Sequence, residues 1–218
     1  MRIYFKITPN DTIVPYTYQE KLVSIFHKWL GKNEIHDDIS LFSLSWLIGG
    51  KGSNRGLDFK NGACWFISSP NISIIKKVIK SVQADPRIAF GMSINEIILK
   101  ETPIFSGKVR FNVSTPVFVK RTIGKREIHY TFHDENVNQL LTDTLKSKLK
   151  KAGLTIDNIN VSFDVTYPKA KTKLITYKGI KNKANFCPVI LEGSPEAIAF
   201  AWNVGVGNST GIGFGALE

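Results

Sequence analysis

The chain has 218 residues, 43% of them hydrophobic, enough to bury one large or two small cores and too apolar for a disordered chain. Its 29 Lys and Arg against 18 Asp and Glu give a formal charge of +11, the electrostatic footprint of a polyanion binder, with nucleic acid the expected partner. Cys64 and Cys187 build neither a disulfide framework nor a zinc spacing, no apolar run approaches the ~20 residues of a transmembrane helix, and the first residues read as a strand, so a cytoplasmic protein with no membrane partner is expected.

In chain order, Arg2 to Ile7 reads as a strand. Thr17 and Glu20 have the spacing of a capping box, and Leu22, Ile25, Phe26, Trp29 and Leu30 then recur at helical spacing up to a C-cap at Gly31. Phe42 to Ile48 and Ala63 to Ser68 read as strands joined by a flexible basic connection, Gly49 to Gly56. Ser69-Pro70 predicts a second helix, with Ile75, Val78, Ile79 and Val82 on one face and Asp85-Pro86 as its stop; a strand from Phe90 to Leu99 follows. The order βαββαβ is the ferredoxin-like pattern.

A second round begins after Thr102-Pro103. Its predicted elements are a strand over Lys108 to Val119, a hairpin partner over Ile128 to Phe132, and a helix with an apolar stripe of Val137, Leu140, Leu141, Leu145, Leu149 and Ala152. Strands over Asn160 to Thr166, Lys173 to Tyr177 and Phe186 to Leu191 come next, then a helix from Ser194-Pro195-Glu196. Ile212, Phe214 and Leu217 predict a final strand. The expected fold class is α+β, with two tandem ferredoxin-like (RRM-like) domains, residues 1–104 and 105–218.

Between the last helix and the last strand, the stretch WNVGVGNSTGIGFG, Trp202 to Gly215, holds Gly205, Gly207, Gly211, Gly213 and Gly215. Such density predicts a loop with exposed peptide N–H groups, suited to phosphate, with Asn208 and Ser209 as polar companions. A dinucleotide fingerprint fails because Thr210 stands at the third glycine position, and a P-loop fails because the stretch has no lysine, so a nucleotide-dependent enzyme has no support in the spacing.

Gly-Val-Gly-Asn-Ser-Thr-Gly-Ile-Gly-Phe-Gly, following a helix and closing the sequence, resembles the C-terminal glycine-rich loop of the CRISPR-associated repeat-processing endoribonucleases, members of the RAMP superfamily. The resemblance implies tandem ferredoxin-like domains and precursor CRISPR RNA as the partner. It also implies metal-independent, cofactor-free cleavage within repeats, leaving 2′,3′-cyclic phosphate and 5′-hydroxyl ends, and a CRISPR effector complex as a further partner. A second reading keeps the fold but has it hold CRISPR RNA uncut, as some RAMP relatives do. Ser114-Thr115-Pro116-Val117 resembles a Ser-Pro-Val-like segment of the same family.

Metal-free RNA cleavage needs a base for the 2′-hydroxyl, an acid for the 5′-oxygen and positive charge at the phosphate, and histidine, with an ordinary pKa of ~6.5, suits both proton transfers. The chain has His27, His36, His129 and His133. His36 follows the first helix and precedes Phe42-Ser43-Leu44-Ser45, the place the resemblance gives to the catalytic histidine; the alternative is a surface histidine beside Asp37 and Asp38. His27 falls where some relatives have a tyrosine that acts beside that histidine, or is a structural helix histidine. A lysine of some relatives falls at Ser40, which carries no charge; Lys51, with Arg55 behind it, is the nearest basic substitute, unless it is an ordinary loop lysine.

His129 and His133, four apart and without a nearby cysteine, read as an RNA-facing hairpin rather than a zinc site, and Asp37-Asp38 as solvated acids rather than magnesium ligands. Lys169, Lys171, Lys173, Lys178, Lys181 and Lys183 lie between or beside Tyr167 and Tyr177. Lysines for phosphates and rings for splayed bases suit RNA, although lysine also keeps a strand edge soluble.

Overall fold

Alternation in β1 (Arg2–Ile7) sends Ile3, Phe5 and Ile7 into a core, and that strand becomes the centre of a sheet. The computed structural model describes residues 1–31, 39–155 and 158–218. The remaining elements of the first unit are α1 (Gln19–Leu30), β2 (Ser43–Leu44), β3 (Lys51–Ser53), β4 (Gly56–Asp58), β5 (Ala63–Ser68), α2 (Ile72–Ala84) and β6 (Ile94–Lys100). The sheet order is β2-β5-β1-β6, all antiparallel, with β3 and β4 as a separate hairpin. Without that hairpin this is the ferredoxin-like βαββαβ. Phe5, Trp29 and Trp65 pack ring to ring at 5.6–5.7 Å between sheet and helix, each burial contributing roughly 2 kcal/mol or more.

The second unit repeats the topology. β7 (Lys108–Phe111), β10 (Asn160–Phe163) and β13 (Val189–Glu192) form a sheet in the order β10-β13-β7, with α3 (Val137–Lys151) and α4 (Pro195–Val204) as its helices. Two hairpins are inserted: β8 (Val119–Ile123) with β9 (Arg126–Tyr130), and β11 (Lys171–Tyr177) with β12 (Ile180–Phe186). The fourth strand position is held by a single bridge, Val113 to Leu217, not by the predicted strand over Ile212 to Leu217. Thr210–Ile212 forms one 3₁₀ turn instead, because five glycines favour turns over an extended run.

Other local expectations yield to long-range contacts. Thr17 does not cap α1: the N-cap is Tyr18 without a side-chain bond, and the Glu20 carboxylate accepts the backbone N–H of Lys178. The strand expected over Phe42 to Ile48 pairs at Ser43–Leu44 and resumes at the Ile48–Cys64 bridge. Between them, Leu47 N–H is held by the buried Tyr18 hydroxyl and the Trp46 indole donates to Gly213. The Gly49–Gly56 connection is the β3–β4 hairpin, and Phe90, at φ 63°, belongs to the turn before β6. The long strand expected over Lys108 to Val119 breaks after Phe111.

Each unit has its own buried cluster, and a third, smaller one, Phe118, Ile175, Ala184 and Phe214, joins the inserted hairpins to Trp46. Across the junction, the Arg2 guanidinium lies between the rings of Phe66 and Trp202, 4.0 and 3.7 Å from their centroids, and donates to the Trp202 carbonyl. Asn203 accepts from Ser43 through its carbonyl and from Ser68 through its side chain. Among the described residues no helix is long and apolar enough to cross a membrane.

Candidate functional site

The Ser194 side chain caps α4 with Pro195 in the first turn, as predicted, and aims the helix C-terminus at the edge strand β2. Gly205 ends it at φ 71°, and the following loop folds back on the sheet edge. Most of its backbone is satisfied within the protein: Val206 N–H donates to Gly215, Asn208 N–H to Phe118 and Gly215 N–H to Pro116. The glycines therefore serve close approach of chain to chain before any ligand. At Gly207, with φ 74°, a Cβ would stand 2.5 Å from the Phe118 carbonyl, and at Gly211 it would collide with the Ser40 hydroxyl and the Phe42 ring. The expectation of a loop with exposed N–H groups is narrowed: Gly205, Gly207, Gly211 and Gly213 are buried, and Asn208 and Ser209 are the half-exposed crest.

Two hollows meet at that crest, sharing Ser40, Gly211 and Ile212 in their walls. The larger, about 740 Å³, has three basic side chains of the second unit in its wall, Lys120, Arg121 and Lys148, with one acid, Asp143. Arg121 is fixed by bonds to the carbonyls of Lys120 and Leu140 at 2.8 and 2.6 Å and to the Thr144 hydroxyl at 3.1 Å. Lys120 pairs with Glu127 at 2.6 Å, while its backbone N–H donates to the Asn208 side chain. Lys148 is 2% exposed and donates to the carbonyls of Val204 and Gly205 and to the Thr210 hydroxyl at 3.1–3.2 Å. Thr210 in turn donates to the Phe42 carbonyl of the first unit. Burial pushes the Lys148 ammonium down to about 7.

The smaller hollow, about 460 Å³, joins α1 to the tip of the β11–β12 hairpin. His27 and Ser24 come from α1, and Tyr177 and Lys178 from the hairpin. His27 sits edge-on to Phe26 at 5.5 Å. Lys178 takes φ 46° at the turn and its N–H is anchored by Glu20, which fixes the tip beside α1. The Tyr177 phenol is half-buried, and burial with the nearby Glu20 charge raises its pKa. This constellation offers a histidine, a phenol, an ammonium and a hydroxyl around one opening.

His36, with Asp37 and Asp38, lies outside the described residues; Ser40 borders both hollows. Lys51 and Arg55 are exposed on the β3–β4 hairpin and do not line the His27 hollow. Lys169, Lys171 and Lys173 are exposed before and along β11. His129 and His133 do not share a strand face, since β9 ends at Tyr130: His129 is held by Glu127 and by Lys183 N–H, and His133 stacks on Phe132 at 4.1 Å. Sequence reasoning missed Arg121, Lys120 and Lys148, and did not pair Lys178 with His27. Lys148 left one signal, a lysine on the apolar stripe three residues after Leu145.

The sequence model of the family described as CRISPR associated protein Cas6, C-terminal, matches residues 99–218. Three solved structures share the fold over the whole chain. One, from a Cas6-related gene of Pyrococcus furiosus, superposes with a TM-score of 0.85 at 21% identity, covering 97% of that chain. A RAMP protein described as binding different RNA substrates gives 0.86 at 20% identity and 98% coverage. A CRISPR associated protein Cas6 gives 0.84 at 19% identity and 98% coverage. All three comparisons cover 100% of the present chain. No curated protein matches the sequence.

Proposed function

Because the chain belongs to the Cas6 family of CRISPR-associated proteins, we propose that it is a metal-independent endoribonuclease that cuts precursor CRISPR RNA within its repeats. The observation that carries this reading is the glycine-loop crest, with a cationic hollow on one side and His27, Tyr177 and Lys178 on the other. RNA phosphates meet Arg121, Lys120 and the loop's polar residues Asn208 and Ser209 in the larger hollow, while the scissile phosphate crosses the crest to the smaller one. The 2′-oxygen attacks phosphorus as its proton leaves to a base, and the 5′-oxygen departs with a proton from an acid, giving the 2′,3′-cyclic phosphate and 5′-hydroxyl. His27 and His36 divide these transfers. Lys178 supplies the positive charge that Ser40 lacks, facing the charge that grows on the phosphoryl oxygens. In this reading the units are residues 1–104 and 105–218, and Lys169, Lys171, Lys173, Lys51 and Arg55 hold flanking RNA.

Ser40, uncharged and on the border of both hollows, favours one competing reading: a RAMP-type subunit that holds CRISPR RNA uncut. Incubation of the purified protein with repeat RNA in excess chelator separates the two. Cleavage to a cyclic phosphate is expected; intact RNA retained by the protein would establish the second reading.

A further inference from the structure

Trp46 donates to the Gly213 carbonyl at 2.8 Å and also lines a third cavity, of about 540 Å³, between the start of α1 and the outer edge of β11. That edge has no strand partner among the described residues. Tyr16, Trp46 and Leu174 give the cavity flat and apolar walls, and Tyr16 and Leu174 remain 53% and 55% exposed. Gln19 also lines it: only 6% exposed, with a side-chain oxygen that has no hydrogen-bond partner. A buried acceptor left unpaired is unfavourable, and the terminal amide torsion is soft enough to turn that oxygen toward a donor in the cavity. The charged side chain in its lining is a lysine. Lys173 of β11 borders it, and the Tyr16 hydroxyl donates to Ser53, tying it to the β3–β4 hairpin on which Lys51 and Arg55 are exposed.

We propose that this cavity is a nucleobase slot, taking one unpaired base of bound RNA that carries an exocyclic amino group. The base stacks on Trp46 and Tyr16, its amino group donates to Gln19, and the adjoining phosphates meet Lys173, Lys51 and Arg55. Ring faces accept any base, whereas an acceptor at the slot wall favours a base that reaches it with an exocyclic amino group: adenine presents one, and uracil presents only its ring N3–H, set back between two carbonyls. An apolar peptide would fill the walls but leave Lys173, Lys51 and Arg55 uncompensated, so charge favours RNA. The inference rests on the RNA-binding reading above but does not require cleavage.

Trp29, Trp65 and Trp202 are each at most 6% exposed, so Trp46 is the tryptophan a stacked base can quench. The test titrates intrinsic fluorescence of the full chain with short oligoadenylate and oligouridylate, alongside anisotropy with labelled repeat RNA. Oligoadenylate is expected to quench with about tenfold higher affinity than oligouridylate. Gln19→Leu, which removes the orphan oxygen at nearly constant volume, should erase that preference by bringing oligoadenylate affinity down toward that of oligouridylate. Trp46→Ala should weaken oligoadenylate by about tenfold in anisotropy. Repeat RNA bound without quenching by oligoadenylate would overturn the slot and leave the RNA-binding reading standing; no binding of any RNA would overturn both. Equal response to the two oligomers, unchanged in Gln19→Leu, would overturn the role of the amino group. Quenching by an apolar peptide and not by oligoadenylate would replace the base with a protein partner.

Discussion

Lys148 links three parts of the protein through one ammonium, and its replacement by methionine has a calculable signature. The side chain holds the carbonyls of Val204 and Gly205 at the end of α4 and the Thr210 hydroxyl, which bonds the first unit at Phe42. Among the described residues no carboxylate pairs with it, and burial lowers its pKa from 10.5 to about 7. The unfolded chain therefore binds more protons than the folded one between those two values, and stability rises with pH across that window. At 1.36 kcal/mol per pKa unit, the gain between about pH 6 and about pH 9 comes to roughly 2–3 kcal/mol. Urea unfolding of the native protein and of Lys148→Met at both pH values should show the native protein gaining that much relative to the variant, since shifts of all other groups cancel in the difference. At about pH 9 roughly 2 kcal/mol of the penalty remains, because the unfolded lysine stays charged up to its ordinary value of 10.5; only above about pH 10.5 should Lys148→Met be less stable by about 1–3 kcal/mol through its stranded acceptors. Parallel pH dependences in the two proteins would refute a buried titrating lysine.

Single-turnover cleavage should fall by about 10²–10⁴-fold in His27→Ala and in His36→Ala with repeat affinity nearly intact, and the double variant should lose less than the product of the single losses; full activity in His36→Ala would remove it from the site. Lys178→Ala should lower the cleavage rate more than binding, and an unchanged rate would leave the missing charge at Ser40 without a replacement. Gly211→Ala, whose methyl collides with Ser40 and Phe42, should push the crest off β2 and weaken both stability and RNA affinity; unchanged values in unfolding and anisotropy would show that the loop yields freely. RNA affinity should fall steeply with salt, and Arg121→Ala should reduce the slope of that dependence by about one, the share of one phosphate contact. A salt-insensitive complex would count against the electrostatic reading.

Order and type of the main elements were legible in the sequence because they follow from local periodicity. Apolar alternation in Arg2–Ile7, the stripes of the first three helices and Ser194-Pro195 before the fourth determine two βαββαβ rounds, and two cores follow from them. The glycine stretch likewise marked where the backbone must make close approaches. Which groups those approaches bring together was decided only in tertiary structure. Glu20 has the spacing of a helix cap yet holds the Lys178 turn, 158 positions away, because the tip of the β11–β12 hairpin docks beside α1 and presents that N–H to it. The last strand shrinks to one bridge because the loop before it is committed to Phe118, Pro116 and the β2 edge. Lys148 reads in sequence as one lysine on an amphipathic helix and becomes the tie of the crest because three oxygens from another helix end and loop converge on it. Periodicity encodes which face of an element is buried; the identity of the neighbour on that face depends on how the two units dock, through Arg2, Asn203 and Thr210, and that docking has no period to read.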